Sequence, residues 1–127
     1  MQSPYEMLGE AGIRHLVDRF YQYMDSEARY AEIRAMHAQD LGPVREYFSQ
    51  YLISWMGGPP VYMESRGSMC ITAAHKPLGI QPRHSQQWLD CFADALSDRD
   101  DAEQLKQMLM PPLAAITRML KAKTAKA

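Results

Sequence analysis

The chain has 127 residues, 46% of them hydrophobic, and a formal net charge of −1. This length suits one domain with one core, and the hydrophobic share is too high for a disordered chain. The near-neutral charge provides no broad basic surface for nucleic acid or an anionic membrane, and no apolar run reaches the roughly 20 residues that span a bilayer. We therefore expect one domain over residues 1–127, with residues 121–127 as a frayed tail and with neither nucleic acid nor membrane as a partner.

The N-terminus and the cysteines favour a reducing cytoplasm. Residues 1–6 lack the basic segment followed by an apolar one that marks a secretory signal. Cys70 and Cys91 are too few and too isolated for a disulfide framework or a zinc site. We interpret both as small buried hydrophobic residues of a cytoplasmic protein.

The first third of the chain predicts three helices and then a loop. Ser3, Pro4 and Glu6 form a helix start, Gly9 is expected to end that short helix, and Gly12 to mark a second turn. The helix that follows has an apolar stripe made of Ile13, Leu16, Val17, Phe20, Tyr21 and Met24. A shorter helix at about residues 27–36 and a loop at residues 37–42 come next.

A fourth helix begins at Pro43 and carries the strongest periodicity, in a stripe made of Val44, Tyr47, Phe48, Tyr51, Leu52 and Trp55. This stripe fits either a flat apolar ligand or packing against another helix, and the pattern does not decide between them. Residues 57–60, Gly-Gly-Pro-Pro, predict a firm stop. A short helical turn is expected at residues 61–66.

The second half predicts two longer helices. One begins at residues 82–85 and buries a face made of Trp88, Cys91, Phe92, Ala95 and Leu96. The last helix should kink or break at Pro111 and Pro112, because each proline removes an amide donor and clashes with the preceding turn. No segment alternates with period two, so the sequence predicts an all-α fold.

His75 lies in the segment that is richest in candidate chemistry. Small or apolar residues precede it, and Lys76-Pro77 ends the turn that carries it. A histidine with small neighbours can approach a flat, bulky partner such as haem, whose iron often binds a histidine. Taken alone, a histidine beside apolar residues is more often structural.

The order and spacing of seven motifs give the chain a family resemblance. The motifs are Tyr5-Glu6-Met7-Leu8-Gly9, Arg19-Phe20-Tyr21, Arg34-Ala35-Met36-His37, Trp55-Met56-Gly57-Gly58-Pro59-Pro60, Arg66-Gly67, His75-Lys76-Pro77 and Trp88-Leu89-Asp90-Cys91. With them the chain resembles the group II truncated haemoglobins over nearly its whole length. The resemblance implies a truncated globin fold, a two-over-two helical sandwich that encloses haem b (iron protoporphyrin IX).

The resemblance also implies site residues. His75 would be the proximal iron ligand. The distal ligand pocket would be formed by Tyr21, His37, Trp88, Val44 and Phe48. Further contacts with the cofactor would come from Tyr51, Tyr62, Arg66, Met69, Ile71, Lys76, Ile80 and Arg83.

The proximal side departs from the family pattern. Basic residues that pair with the haem propionates are common just before the proximal histidine, but this chain has Thr72 and Ala74 there. Propionate pairing would therefore fall to Arg66, Lys76 or Arg83, with Tyr62 as a possible hydrogen-bond donor. The usual phenylalanine after the proline is replaced by leucine at position 78, which removes a ring contact with the haem.

The implied pocket predicts slow release of dioxygen. Tyr21 O–H, Trp88 N–H and a neutral His37 could each donate to its partly negative outer atom, contributing about 1.5–3 kcal/mol apiece. A transporter must release its ligand readily, so tight binding favours reaction with nitric oxide or peroxide, which would make the protein a possible nitric oxide dioxygenase or peroxidase. Expected partners are dioxygen, nitric oxide or carbon monoxide, and an unidentified reductase.

Two alternatives remain at this point. His37 or Tyr21 could bind the iron directly when no ligand is present, although His37 could equally be a solvent-facing loop residue. The whole chain could instead be a haem-free helical module that binds an apolar ligand or a partner helix. His15 and His84 are interpreted as surface residues without a function.

Overall fold

The computed structural model describes residues 2–66 and 80–125, with side chains described for residues 2–64 and 80–118. Every regular element in this part of the chain is helical, as the sequence predicts. The elements are α1 (Pro4–Ser26), a 3-10 helix (Ala28–Tyr30), α2 (Ala31–Ala35), α3 (Gly42–Trp55), α4 (Val61–Arg66), α5 (Pro82–Leu96) and α6 (Ala102–Ala125). None of the described helices has the length and apolar character needed to cross a membrane.

Helix α1 begins with the predicted capping box. Ser3 Oγ accepts the Glu6 amide at 3.1 Å, and Glu6 Oε1 accepts the Ser3 amide at 2.8 Å. At Gly9 the backbone leaves the helical region, with φ 69° and ψ 171°, so the short first helix ends there as predicted and a second helix follows directly across the kink. The turn predicted at Gly12 is wrong, because the helix resumes after the kink and Gly12 lies inside it.

The core lies between two helix pairs, α1 with α3 and α5 with α6, and α1 also packs directly on α5. The predicted apolar stripe of α1 is buried along its whole length, and no member is more than 3% exposed. Its members are Ile13, Leu16, Val17, Phe20, Tyr21 and Met24. Because α1 contacts a helix of each pair, burying this one stripe holds both pairs to a common core.

The thiol of Cys91 is buried where α1 meets α5. The residue is 0% exposed, and its Sγ–H donates to the Phe20 carbonyl oxygen at 3.2 Å. Burial raises the pKa of the thiol to about 12, so it stays protonated at neutral pH. The interpretation of Cys91 as a buried small residue is confirmed, and Cys70 lies outside the described residues.

The buried face of α3 is offset from the predicted aromatic stripe. Ser49, Leu52, Ile53 and Met56 are at most 3% exposed and follow the spacing i, i+3, i+4, i+7. Tyr47 was predicted on the buried stripe but is 43% exposed, so that assignment is wrong. The reason is that α3 packs on both α1 and α4, and these contacts centre the buried face on Leu52 and Ile53. The rest of the stripe is half-buried at the edge of the core and consists of Val44, Phe48, Tyr51 and Trp55.

The turn after α3 docks on the chain's N-terminal residues and confirms the predicted stop. The Tyr5 amide donates to the Met56 carbonyl oxygen at 3.0 Å. A Cβ at Gly58 would lie 2.6 Å from the Tyr5 ring and 2.7 Å from the Ile53 carbonyl oxygen, so the contact requires glycine.

Helix α6 runs through Pro111 and Pro112 without interruption, so of the predicted kink or break the break is wrong and the kink stays a prediction. Both proline side chains are exposed, whereas Leu105, Leu109 and Leu113 on the core side are at most 3% exposed. The packed face therefore holds the helix across the missing amide donors, since tertiary burial outweighs local propensity. The helix extends to Ala125, into the segment that was expected to fray.

Candidate functional site

Five aromatic side chains from three helices meet in one group, here called the ring cluster: Phe20, Tyr21, Phe48, Trp88 and Phe92. Phe20 is its hub, because its ring centroid lies 5.0–5.9 Å from those of the other four. Trp88 and Phe92 stack with 11° between their planes at 5.4 Å. The ring cluster therefore brings the predicted site residues Tyr21, Phe48 and Trp88 together on one apolar surface.

Tyr21 and Trp88 carry the polar groups of this surface. Tyr21 is 3% exposed, and burial raises the pKa of its hydroxyl well above the usual value, so the group is an O–H donor at neutral pH. Among the described residues neither the Tyr21 hydroxyl nor the Trp88 indole N–H forms a hydrogen bond. Neither atom is among the fully buried polar atoms that lack a partner, so each keeps some accessible surface and can donate to a ligand. An apolar ring surface with two such donors fits the distal side of a haem pocket.

Phe48 lies between the two donors. Its centroid is 6.2 Å from that of Tyr21 and 5.8 Å from that of Trp88. Val44, one turn earlier on α3, is half-buried against the core. The assignment of both residues to a distal ligand pocket stays a prediction.

His37 faces Tyr21 from the end of α2. The two ring centroids are 5.8 Å apart, and His37 is half-buried, not a solvent-facing loop residue. Its Nδ1 lies 2.7 Å from the Ile33 carbonyl oxygen. A carbonyl oxygen can only accept, so Nδ1 carries the proton and Nε2 of the neutral ring is an acceptor. In this tautomer a neutral His37 cannot donate to a ligand through Nε2, contrary to the expectation from the sequence, because Nε2 carries a proton only in the imidazolium form.

Helix α2 and the following residues 36–40 form a second region, here called the α2 corner. Glu32 ties it to the start of α5, because its carboxylate accepts from Arg83 Nε at 2.8 Å and from Gln87 Nε2 at 3.1 Å. These donors lower the pKa of Glu32 to about 2, the Arg83 guanidinium being the main cause. Arg83 was predicted to pair with a haem propionate, and a propionate would have to compete with Glu32 for it.

The surface interpretation of His84 is wrong. Its side chain is 12% exposed, its Nδ1 accepts the Gln81 amide at 3.0 Å, and its Nε2 lies 3.4 Å from Glu32. It caps α5 at the point where that helix meets the α2 corner. His15 is exposed, as expected.

The cofactor contacts predicted on α3 and α4 lie side by side. Tyr51 and Tyr62 meet edge to face with ring centroids 5.2 Å apart, and Tyr62 is 7% exposed. Ile80 is half-buried just before α5. The remaining predicted residues lie outside the described side chains and stay predictions; they are Arg66, Met69, Ile71, His75 and Lys76. Within the described residues, no group of three His, Cys, Asp or Glu side chains could hold a metal ion.

Sequence reasoning missed two parts of this site. Phe20 and Phe92 were assigned only to buried helix faces, although they complete the ring cluster. The position of Phe20 next to Tyr21 was the available signal. Glu32 and Arg34 carried no such signal, because their partners lie on other helices or in a loop.

Comparison with known proteins adds three findings. A family profile described as bacterial-like globin matches residues 3–122. The group 2 truncated haemoglobin YjbI of Bacillus subtilis is 29% identical over 116 residues, which cover 91% of this chain and 86% of the relative. The solved group II 2-on-2 haemoglobin of Agrobacterium tumefaciens is 31% identical with a TM-score of 0.89 over 95% of each chain.

A second solved structure, the truncated oxygen-avid haemoglobin of Bacillus subtilis, is 28% identical with a TM-score of 0.81 over 94% of this chain and 98% of that one. The similarity to these structures confirms the predicted two-over-two helical sandwich.

Proposed function

The chain belongs to the bacterial-like globin family, and we propose that it binds haem b and holds dioxygen there with slow release. When bound, haem supplies the iron at which a diatomic gas binds reversibly. Haem and oxygen binding follow from membership of a globin family. The finer parts of the proposal, which are the slow release and the residues responsible for it, rest on the ring cluster.

The observation that carries the proposal is the pair of hydrogen-bond donors at the ring cluster. Tyr21 O–H and Trp88 N–H border the same Phe48 ring and have no acceptor among the described residues. A polar diatomic ligand would give both donors a partner, at about 1.5–3 kcal/mol each if the acceptor is charged. Two such bonds would slow ligand escape roughly a hundredfold or more. The similar Bacillus subtilis protein is described as oxygen-avid, which supports slow release by analogy.

Stopped-flow dissociation of dioxygen tests the donors. We expect Tyr21→Phe and Trp88→Phe each to raise the dissociation rate about tenfold or more, because each removes one donor and keeps a ring. Tyr23→Phe is the matched control, since the Tyr23 hydroxyl is bound by Arg19 on the outer side of α1. Unchanged dissociation rates in both site variants would overturn the donor account.

His75 is proposed as the proximal ligand on the strength of the family resemblance. The absorption spectrum of the purified protein, reduced and exposed to carbon monoxide, tests it directly. We expect a Soret band in the wild type that His75→Ala loses, and a pyridine haemochrome spectrum that identifies haem b. A colourless protein that takes up no haem would instead favour the alternative function, a helical module for an apolar ligand or a partner helix.

Slow release would favour turnover over transport. Haem would supply the chemistry that oxidises nitric oxide, an external reductase would supply the electron that each turnover consumes, and Tyr21 and Trp88 would hold dioxygen long enough for nitric oxide to reach it. We therefore propose nitric oxide or peroxide removal as the physiological reaction. Rapid consumption of nitric oxide by the oxygenated protein, with nitrate as product, is the expected result. Consumption no faster than in buffer would overturn this part of the proposal.

A further inference from the structure

Arg34 fastens the α2 corner at three points. Its Nε donates to Asp25 Oδ1 at 2.9 Å, its Nη1 to the Ala38 carbonyl oxygen at 3.0 Å and its Nη2 to the Gln39 carbonyl oxygen at 3.1 Å. The side chain is 23% exposed. One planar guanidinium therefore ties the end of α1 to the two residues that follow His37, an arrangement that uses the fixed fork of arginine.

The three hydrogen bonds of the Arg34 guanidinium are here called the clamp, and His37 lies within the segment that they hold. Its backbone amide donates to the Arg34 carbonyl oxygen at 3.0 Å, and its ring Nδ1–H donates to the Ile33 carbonyl oxygen at 2.7 Å. Residues of the α2 turn thus hold the His37 ring and amide, while the Arg34 guanidinium holds residues 38 and 39, which follow His37 in the chain. Its position beside Tyr21 depends on both sets of bonds.

A surface cleft of about 460 Å³ lies between the end of α1 and the α2 corner, and both Arg34 and His37 line it. Four further lining residues have small or apolar side chains: Met24, Ala28, Ala31 and Ala35. His37 therefore borders the cleft and also contacts Tyr21, so it lies between the cleft and the distal pocket proposed beside Tyr21. On the core side of Tyr21 the wall is closed by Phe20, which is 0% exposed and whose ring contacts that of Tyr21.

We propose that this cleft is the access route for diatomic ligands to the Tyr21 pocket, with His37 as its gate and Arg34 as the positioning residue that holds the gate closed. The proposal rests on the proposed function for the content of the pocket. In the proposed opening, His37 moves away from Tyr21 together with residues 38 and 39, whose carbonyl oxygens then leave the guanidinium, so the clamp sets how often the gate opens. Lysine at position 34 would keep the charge beside Asp25 but lose the fork that binds both carbonyl oxygens.

The first experiment compares Arg34→Lys with Arg14→Lys. Arg14 is a matched control because its guanidinium also bridges two partners, Glu10 at 3.1 Å and Glu46 at 3.0 Å, but does not line the cleft. We expect Arg34→Lys to speed amide hydrogen exchange at residues 36–39 about tenfold. We expect it also to raise the rate of carbon monoxide association after flash photolysis about threefold. Arg14→Lys should leave both rates unchanged.

The second experiment fills the cleft without touching the clamp. Ala31 is exposed and lines the cleft, so Ala31→Trp should lower the carbon monoxide association rate about fivefold. Ala11→Trp, at an exposed position of α1 outside the cleft, is the control. This pair keeps the proposal testable even if Arg34→Lys fails to fold.

The outcomes separate the access route from the proposed function. If the haem-loaded Arg34→Lys and Ala31→Trp variants bind carbon monoxide at the wild-type rate, the access route is overturned and the proposed function stands. Faster amide exchange in Arg34→Lys with an unchanged association rate would make the clamp purely structural and overturn its gating role. A wild type that takes up no haem would overturn the proposed function, and the route with it.

Discussion

The ring cluster contains Tyr21 and the α2 corner contacts it through His37, but the two regions hold their side chains by different physical means. Phe20 and Phe92 are fully buried and contact their neighbours ring against ring. In the α2 corner, Glu32 and Arg34 remain partly or largely exposed and act through hydrogen bonds of fixed direction. Burial is non-directional and scales with apolar area, whereas exposed ion pairs contribute little stability but fix position. The ring cluster should therefore dominate stability, and the α2 corner should dominate local motion.

The largest expected effect tests the ring cluster. Phe20→Ala removes the hub of the cluster, and deletion of a fully buried phenylalanine ring typically costs about 3–5 kcal/mol. Urea denaturation measures the loss. Met63→Ala, at a residue that is 48% exposed, should change stability by less than about 0.5 kcal/mol. Equal effects in the two variants would contradict the claim that burial at the rings dominates.

A second packing test lies at the turn after α3. Gly58→Ala places a Cβ 2.6 Å from the Tyr5 ring and 2.7 Å from a backbone oxygen, so we expect a loss of about 1–3 kcal/mol by overpacking. At Gly9 no atom lies within 4 Å of an added Cβ. Gly9→Ala should therefore show only backbone strain, about 1–3 kcal/mol, because φ 69° with ψ 171° is a conformation that essentially only glycine adopts. Relief of the Gly58→Ala defect by Tyr5→Ala, measured as a double-mutant cycle, would identify the ring contact as its cause.

A smaller effect is expected where a buried ring also makes a directional bond. Tyr30 is 1% exposed, and its hydroxyl donates to Asp94 on α5, which also accepts from Arg29. Tyr30→Phe keeps the ring burial and leaves Asp94 paired, so thermal unfolding should show a loss of only about 0.5–1.5 kcal/mol. A loss as large as that of Phe20→Ala would mean that the bond, and not the buried ring, holds this helix junction.

The smallest effect at neutral pH, and the most specific in its pH dependence, concerns Glu32. Its pKa in the folded protein is about 2, below the ordinary 4.5, because Arg83 and Gln87 bind the carboxylate. The stabilisation is therefore complete above pH 4.5 and is lost as the pH falls towards 2. We expect the difference in Tm between the wild type and Glu32→Gln to shrink over this range. A constant difference would show that the carboxylate is not paired in solution.

The same contrast explains what the sequence could predict. The α1 stripe and the buried face of α5 follow from helical periodicity, and they carry Tyr21 and Trp88 into the ring cluster. On α3 the periodicity pointed to Tyr47, but packing against two neighbours selects Ser49 and Ile53 instead. Periodicity predicts that a helix has a buried face but does not say where its neighbours will centre that face.

The hydrogen-bond partners of polar side chains in the α2 corner could not be predicted from the sequence. Nothing in the chain indicates that Glu32 meets residue 83, 51 positions later, or that Arg34 folds back on the loop that follows it. The tautomer of His37 likewise depends on the carbonyl oxygen of Ile33. The interruption predicted in α6 failed for the converse reason, because a local rule about proline was overridden by packing. The proximal residues, His75 among them, rest on the resemblance alone.

The burial of Cys91 between α1 and α5 makes its sulfur atom a probe for the separation of these two helices. With its pKa near 12 and no exposed surface, the thiol should resist alkylation while α1 and α5 remain together. The chain has two cysteines, so Cys70→Ser would leave Cys91 as the sole site of labelling. Mass spectrometry would then give the alkylated fraction at each time of exposure, and its rate of increase would measure how often the two helices separate under native conditions.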